Sequence, residues 1–331
     1  MGIKGLLKII SDNTEDCIIK RDISFYRGKI IAVDASIILY KFVIAIRNNG
    51  YDYINREGES SSHIYALFLK TLNFLKYGIK PIFVFDGQPP ILKKKIIDYR
   101  KNIKNNAKLK LKLADNTNDK IKYFKKSVEI KKYHINECKE LLNVLKIPYI
   151  VAPGEADAHC SLLAKKCIVW GVYTEDMDIL TFGSPRIIKN LSSKNKKVIE
   201  INLYKIIEKL GITYNQFIDI CILLGCDYCN TILGLEKCDI LELVKKFGSL
   251  DNIISNINNG LIKYKIPYYF PYHQVQNYFK HPNVINPKNI YFKWNSSSKR
   301  EIINYMCYKY NFDLYDIKNK LYNYYSFYNN I

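Results

Sequence analysis

The sequence lacks several features that would assign it to other classes of protein. Arginine is scarce, with seven among the 51 basic residues, and acidic residues number only 31. The formal net charge of +20 therefore comes mainly from lysine, and it favours a polyanionic partner, either nucleic acid or an anionic membrane. Lysine, asparagine, isoleucine and tyrosine share AT-rich codons, so genome bias is the alternative source of part of this charge.

Signals for export, membrane insertion and cysteine-based stabilisation are also missing. No secretory signal is visible, and the most apolar stretch, residues 30–46, is interrupted by Asp34 and Lys41. The nine cysteines are irregularly spaced, and Cys226 and Cys229 form the only Cys-x-x-Cys pair. We expect reduced thiols in a cytosolic or nuclear protein, and no membrane partner.

What is present is a long chain with an alternating pattern of strands and helices. Short apolar runs at residues 29–34, 81–86, 168–173 and 186–190 predict strands, and residues 36–46 and 63–77 predict helices. Short apolar strands separated by helices favour an α/β fold, in which helices cover both faces of a mostly parallel sheet.

Residues 93–139 differ from the rest of the chain in charge. They contain 16 Lys or Arg and five Asp or Glu, so more than half of the net charge lies in this segment. Codon bias would spread lysine evenly, so the clustering argues against bias alone. Apolar residues recur at helical intervals, and residues 115–118 predict a turn. A solvated helical pair is one interpretation, and a basic clamp over a phosphate backbone is the other.

Acidic residues follow most of the buried-looking runs of this basic protein. Each alone could cap a helix, but carboxylates that share one site repel, and a divalent cation relieves that repulsion. Oxygen-only ligation selects Mg²⁺ or Mn²⁺, and two such ions can act on a phosphodiester. No P-loop and no Ser/His/Asp arrangement is recognisable. The candidates are Asp34, Asp86, Glu155, Asp157, Asp176, Asp178 and Asp227.

Six motifs in order resemble those of the flap endonucleases, in the XPG superfamily of structure-specific 5′ nucleases. They are MGIKGL at 1–6, VDASI at 33–37, FVFDGQPP at 83–90, APGEADA at 152–158, TEDMDILTFGSP at 174–185 and CILLGCDYC at 221–229. The similarity extends over about residues 1–250. It implies a PIN-like nuclease core with a helical arch and a helix–two-turn–helix element.

The resemblance also implies a division of the chain. An N-terminal nuclease region would span residues 1–105, and a helical arch, under which a 5′ flap passes, residues 106–135. An internal nuclease region with the helix–two-turn–helix would span residues 119–250, and a C-terminal helical region residues 251–331.

The seven acids match the positions that hold two Mg²⁺ ions in such enzymes, where Mn²⁺ can substitute. Asp34, Asp86, Glu155 and Asp157 match the group around the first ion, and Asp176, Asp178 and Asp227 match the second. The family usually has Glu where this chain has Asp157, which is one methylene shorter, so a bridging water is expected there.

Other positions match catalytic and DNA-contacting residues of the family. Lys93 and Arg100 match two catalytic cations that stabilise charge on the scissile phosphate. The residues expected to contact or approach DNA are Gly2, Tyr40, Arg47, Lys70, Glu155, Gly225 and Asp227.

Two segments depart from the family pattern. The helix–two-turn–helix loop usually reads Gly-x-Gly-Pro-Lys and often binds K⁺, whereas residues 234–238 read GLEKC. We therefore expect weaker contact with the downstream duplex. Residues 318–325 have the hydrophobic and aromatic spacing of a box that binds the sliding clamp (PCNA), but the first Gln is missing. The end of a surface helix is the alternative interpretation.

The expected function is that of a Mg²⁺-dependent hydrolase, a 5′ flap endonuclease with 5′–3′ exonuclease activity. It would act in lagging-strand DNA replication, where Okazaki fragments mature, and in long-patch base excision repair. The alternatives are a non-catalytic junction-binding protein of the same fold, a related bubble or junction nuclease, and a Mg²⁺-dependent phosphatase. The family implies a monomer in the nucleus, with nucleolus, nucleoplasm or mitochondrion as compartments.

Overall fold

A computed structural model describes residues 2–47, 52–191, 197–287 and 291–328, without the side chains of 15, 42, 45–47, 323 and 326–328. These residues form one seven-stranded sheet. Its strands are β1 (Ile18–Arg21), β2 (Ile30–Asp34), β3 (Lys80–Phe85), β4 (Tyr149–Val151), β5 (Gly171–Tyr173), β6 (Arg186–Lys189) and β7 (Val198–Asn202). Their order across the sheet is β1-β7-β6-β5-β2-β3-β4.

The sheet is mostly parallel, as the sequence predicts. The five strands from β6 to β4 run parallel, whereas β7 pairs antiparallel with both β6 and β1. The four predicted strands are present, each within a few residues of its predicted bounds. Sequence reasoning missed β1, β4 and β7, because they are three to five residues long and belong to the outer parts of the sheet.

Alternate residues of the strands pack into two separate hydrophobic cores, one on each face of the sheet. In β3, Ile82 and Val84 pack on one side of the sheet, in the first core, and Phe83 and Phe85 pack on the other side, in the second core. Because successive side chains of a strand point to opposite faces, this alternation places helices on both sides of the sheet.

The helices fall into three groups according to the core in which they pack. The first core receives α1 (Leu6–Asn13), α7 (Ala156–Lys165), α8 (Asp178–Thr181), α9 (Leu203–Leu210), α10 (Tyr214–Leu224), α11 (Ile240–Phe247), α12 (Leu250–Asn258) and α13 (Tyr272–Lys280). The second receives α2 (Ala35–Arg47), α3 (Ser62–Lys76), α6 (Lys132–Val144), α14 (Lys299–Ile303) and α15 (Leu314–Tyr328). The remaining pair, α4 (Lys94–Lys112) and α5 (Thr117–Lys126), belongs to neither core.

The basic segment forms the α4–α5 pair. Ala107 is the one buried residue of α4, and α5 has none. The turn predicted at residues 115–118 joins the two helices, and the Asn116 side chain caps α5 by accepting a hydrogen bond from the Asp119 N–H at 2.7 Å. The pair packs on itself and touches α2, so most of its lysines remain in solvent.

The segment expected to offer a clamp box is used inside the fold. Residues 318–325 lie in α15, where Leu321 and Tyr324 are buried against the second core. The Tyr324 hydroxyl donates to the carbonyl oxygen of Leu145 at 3.0 Å. The side chains of Leu321 and Tyr324 therefore serve packing, whereas Tyr322 is 79% exposed, and this favours the surface-helix interpretation over the clamp box.

No helix in the described ranges is both long and apolar enough to cross a bilayer.

Candidate active site

Acidic side chains collect where three neighbouring parallel strands end. Asp34 is the last residue of β2, Asp86 directly follows β3, and Asp176 and Asp178 follow β5. The sheet order places β2 between β5 and β3, so the carboxyl ends of all three strands lie side by side. This is the edge at which parallel α/β sheets build their sites.

Two helix N-termini hold the carboxylates of Asp34 and Asp86. In the first turn of α2, the backbone N–H groups of Ser36 and Ile37 donate to Asp34 Oδ1 at 3.0 and 3.3 Å. At the start of α7, the N–H of Ala156 donates to Asp86 Oδ1 at 2.8 Å. The Ser36 hydroxyl donates to Asp86 Oδ2 at 2.5 Å, so this one residue links the two carboxylates, through its backbone N–H to Asp34 and its side chain to Asp86.

Glu155 and Asp157 enter the site from the start of α7. Glu155 Oε2 accepts hydrogen bonds from the phenols of Tyr228, at 2.6 Å, and Tyr278, at 2.8 Å. Its other oxygen, Oε1, accepts from the Lys93 ammonium. Asp157 Oδ1 is buried and has no hydrogen-bond partner within the described residues.

Asp176 and Asp178 lie against the N-terminal segment. The N–H of Asp178 donates to Asp176 Oδ1 at 3.1 Å, and Asp178 Oδ1 is a second buried oxygen that finds no hydrogen-bond partner in the described chain. Gly2 has φ of 85°, and a Cβ added there would lie 1.9 Å from Asp176 Oδ1. Only glycine fits so close to the acidic pair.

Asp227 follows α10 and is bound by the two predicted cations. Arg100, on α4, donates to both Asp227 oxygens at 2.7 and 2.9 Å. The ammonium nitrogen of Lys93 lies 3.4 Å from Asp227 Oδ2, in addition to its contact with Glu155. Lys93 and Arg100 therefore reach the acidic cluster, as expected from their positions.

Burial and the repulsion of neighbouring carboxylates make three acids of the cluster, Asp34, Asp157 and Asp178, resist ionisation. Burial, with the charges of Asp86 and Asp176, raises the pKa of Asp34 to about 8. Burial also raises the pKa of Asp157, with Asp34 and Asp176 adding to the effect, and the pKa of Asp178, with Asp176 and Asp227 adding. Burial lowers the pKa of Lys93, but Glu155 and Asp227 outweigh that effect and raise it above its ordinary value.

The cluster suits hard divalent cations in its donor chemistry. All seven acids approach one edge of the sheet, and two buried carboxylate oxygens have unused lone pairs. Among the described residues, no three Asp, Glu, His or Cys side chains already converge as a ready-made metal cage. Lys93 and Arg100 instead neutralise Glu155 and Asp227. Oxygen-only donors of this kind fit Mg²⁺ or Mn²⁺.

The remaining candidates for DNA contact occupy different places. Tyr40, on α2, accepts a hydrogen bond from Lys104 of α4 at 2.9 Å, and so adjoins the basic pair. Gly225, with φ of 99°, ends α10 two residues before Asp227. Arg47 is the last residue of α2, and its side chain lies outside the described atoms.

Lys70 is not on a DNA-facing surface, and that prediction is wrong for this structure. Its side chain is 1% exposed, within α3, and its ammonium donates to the carbonyl of Leu191 at 2.8 Å and the hydroxyl of Tyr173 at 3.2 Å. Burial lowers the pKa of Lys70 to about 7. The helix is buried on nearly all sides, and Lys70 lies against the second core.

Sequence reasoning missed three residues that touch the acids. Ser36 and Tyr228 adjoin predicted motifs and could have been found by asking what hydrogen-bonds the carboxylates. Tyr278 had no such signal, because it lies in an Asn-, Tyr- and Lys-rich region without clear periodicity.

Comparison with known families agrees with this geometry. The XPG N-terminal domain model matches residues 1–107, and the XPG I-region model matches residues 146–227. Flap endonuclease 1 of Glycine max is 40% identical over 314 residues, which cover 92% of this chain and 82% of that protein. The chain belongs to the flap endonuclease family of the XPG superfamily. The matched regions contain all seven acids and both cations.

Solved structures share the whole architecture. The flap endonuclease of Methanococcus jannaschii is 31% identical with a TM-score of 0.73, and the alignment covers 95% of this chain and 96% of that one. The catalytic core of Rad2 in complex with a DNA substrate is 26% identical with a TM-score of 0.77, covering 98% of this chain and all of that core. The fold is therefore that of the flap endonuclease and Rad2 nuclease cores.

Proposed function

We propose that this chain is a structure-specific 5′ flap endonuclease with 5′–3′ exonuclease activity on duplex ends. It hydrolyses DNA phosphodiester bonds during lagging-strand replication and long-patch base excision repair. The observation that carries the proposal is the placement of the seven acids near one sheet edge, where Lys93 and Arg100 contact two of them at the start of the basic α4–α5 pair. A phosphatase would have no use for that basic pair.

Two Mg²⁺ ions fit the donor set, and Mn²⁺ is the expected substitute. Asp34, Asp86, Glu155 and Asp157 would hold one ion, with a water between it and the short Asp157 side chain. Asp176, Asp178 and Asp227 would hold the other. When bound, the ions supply an activated water and stabilise the charge that develops on the phosphate.

Lys93 and Arg100 act directly on the scissile phosphate. Without DNA they bind Glu155 and Asp227. A phosphate entering the site offers the same cations an anionic oxygen, so they exchange carboxylate for phosphate and stabilise its transition-state charge. The Arg100 guanidinium can bind such a group with two N–H donors.

The exposed lysines of α4 and α5 would bind the backbone of the flap strand, and Tyr40 would stack on an unpaired base. Gly2 and Gly225 permit close approach beside the acids, and Arg47 would contact DNA from the end of α2. The arch would span residues 106–135, between nuclease regions at 1–105 and 119–250, with the C-terminal region at 251–331. We do not propose clamp binding through residues 318–325.

The compartment proposed is the nucleus, where replication intermediates carry such flaps, and the active form proposed is a monomer. At the helix–two-turn–helix, the altered residues 234–238 make K⁺ binding weaker than in the family.

Cleavage of an end-labelled double-flap DNA, with Mg²⁺ and with EDTA, tests the proposal. We expect Mg²⁺-dependent incision one nucleotide inside the duplex and no product in EDTA. Incision elsewhere, or preferential cleavage of bubbles or Holliday junctions, would favour a related junction nuclease. Tight junction binding without cleavage in Mg²⁺ or Mn²⁺ would favour a non-catalytic protein.

A further inference from the structure

A tyrosine from the C-terminal region reaches the acidic cluster. Tyr278, on α13, donates its phenol to Glu155 Oε2 at 2.8 Å, across 123 residues of sequence. Helix α13 lies outside both regions that the XPG models match, which end at residue 227. This contact therefore adds a residue to the site that none of the acidic motifs contains.

The position of Tyr278 is fixed by neighbouring residues of α13 and by the contacts of its own ring. Val275 and Phe279 are buried in the first core, and the Gln276 amide donates to Asp219 of α10 at 2.5 Å. The Tyr278 ring lies 5.2 Å from the Tyr228 ring between centroids, and 5.7 Å from Phe182. A phenol on such a support has little freedom to turn away from its acceptor.

The chain that follows α13 also touches the turn before Glu155. A Cβ added to Gly154 would lie 2.9 Å from the carbonyl oxygen of Asn283. The same turn is tied to the loop after β3, because Gly87 N–H donates to the Gly154 carbonyl at 2.7 Å. The region around α13 thus supports the backbone of Glu155 as well as its side chain.

We propose that Tyr278 is a positioning residue that holds Glu155 in the orientation needed to bind a divalent cation. This inference rests on the proposed two-metal function. Two phenols, from Tyr278 and Tyr228, occupy Glu155 Oε2, so the carboxylate cannot rotate freely. Its other oxygen, Oε1, contacts Lys93 and is the one that a cation would take over.

The physical reason is the strength of a hydrogen bond to a charged group. The Tyr278 phenol donates at 2.8 Å to the Glu155 carboxylate, and a hydrogen bond to a charged acceptor is stronger than one between neutral groups. Without that donor, one restraint on Glu155 is lost, and its pairing with Lys93 competes better with a metal. Groups that orient metal ligands in this way typically change metal affinity about 10- to 100-fold when removed.

The test compares Tyr278→Phe with Tyr272→Phe in the full chain. Both variants remove one phenol oxygen from α13, but Tyr272 donates to Asp251 at 2.8 Å, away from the acidic cluster. Mn²⁺ binding is measured without DNA from the electron paramagnetic resonance signal of the free ion, and cleavage of the double flap is measured against Mg²⁺ concentration. Thermal unfolding checks that both variants fold.

We expect Tyr278→Phe to need about tenfold more Mn²⁺ for half-saturation and about tenfold more Mg²⁺ for half-maximal cleavage, with most of the rate regained at high Mg²⁺. Tyr272→Phe should match the unsubstituted protein. Unchanged metal dependence in Tyr278→Phe, or equal weakening in both variants, would overturn the inference alone. A parent protein that neither binds Mn²⁺ nor cleaves would overturn the proposed function, and this inference with it.

Discussion

The acidic cluster and the basic α4–α5 pair are both rich in ionisable side chains, but they differ in how far those side chains are exposed to water. Asp34 and Asp178 are 3% and 2% exposed, whereas most lysines of α4 and α5 are open to solvent. Buried like charges repel strongly and raise each other's pKa, while exposed like charges are hydrated and screened by salt. The cluster is therefore suited to chemistry with a cation, and the pair to salt-sensitive binding of a polyanion.

The largest effect should come from removing an acid of the cluster. Asp178→Ala or Asp86→Ala should slow flap cleavage about 1000-fold or more, because the loss of a metal ligand costs several kcal/mol of transition-state stabilisation. DNA affinity, measured by fluorescence anisotropy in Ca²⁺, should largely survive. Asp98→Ala, an exposed acid on α4, is the control. Normal turnover by either variant would contradict the two-metal assignment.

The next largest effect should come from Lys93 and Arg100, the two cations that connect the acidic cluster to the basic segment. Lys93→Ala and Arg100→Ala should each lower the single-turnover rate about 100- to 1000-fold, as loss of one preorganised electrostatic donor does. Lys94→Ala removes an adjacent lysine that is exposed, and its rate should stay within about threefold of the parent, as for a screened surface charge. Equal losses in Lys93→Ala and Lys94→Ala would mean that position within the cluster does not matter.

Exposed lysines of the α4–α5 pair should change binding more than chemistry. The double variant Lys112→Gln and Lys120→Gln should weaken flap binding about three- to tenfold and reduce the salt slope by about 1.4, which is about 0.7 for each lysine on a single strand. The matched double variant Lys205→Gln and Lys209→Gln, on α9, should leave the slope unchanged. Equal slopes for both variants would show that binding depends on total charge and not on this helical pair.

An acid outside the cluster should have a smaller effect. Glu236 is exposed in the loop between α10 and α11, where the family usually has glycine. Glu236→Gly should tighten binding of a flap with a downstream duplex about threefold, because it removes a negative charge near phosphates. A flap that lacks the downstream duplex, and the variant Glu208→Gln, serve as controls. Unchanged affinity would count against the loop as a weakened contact.

A lysine outside the basic pair should have the smallest effect on DNA. Lys70→Met should leave DNA affinity within about twofold, because a buried side chain neutralises no phosphate. We expect Lys70 to affect the stability of the fold instead. The pKa of Lys70 is about 7 when folded and 10.5 ordinarily, so between these values the unfolded chain binds more protons. The stability of the parent protein therefore rises with pH across this window, by at most about 1.4 kcal/mol per pH unit.

The Lys70→Met variant has no group that titrates at this position. The stability of the variant relative to the parent should therefore be greatest near pH 7 and decline towards pH 10. Urea unfolding at several pH values measures this difference. A stability difference that does not change with pH, or a loss of DNA affinity as large as that of the α4–α5 variant, would indicate that Lys70 is exposed to solvent.

Much of the fold was predictable because its signals are local. Runs such as residues 81–86 are apolar, β-branched or aromatic and bounded by turn residues, so the central parallel strands were found. Strands β1 and β7 were missed, because antiparallel pairing at the margin of a sheet depends on a distant partner and leaves only a weak local pattern.

The site was likewise predictable from the sequence only in part. The seven acids were predicted from the sequence alone, from strand ends and motif order, and Lys93 and Arg100 were predicted from the resemblance to the family. The tertiary structure decided which side chains meet: Lys93 with Glu155, Arg100 with Asp227, and Tyr278 with Glu155. It also decided that Lys70, a lysine like those of α4, is enclosed in the core. Burial and long-range contact depend on how helices and sheet pack, and no local pattern of residues encodes that packing.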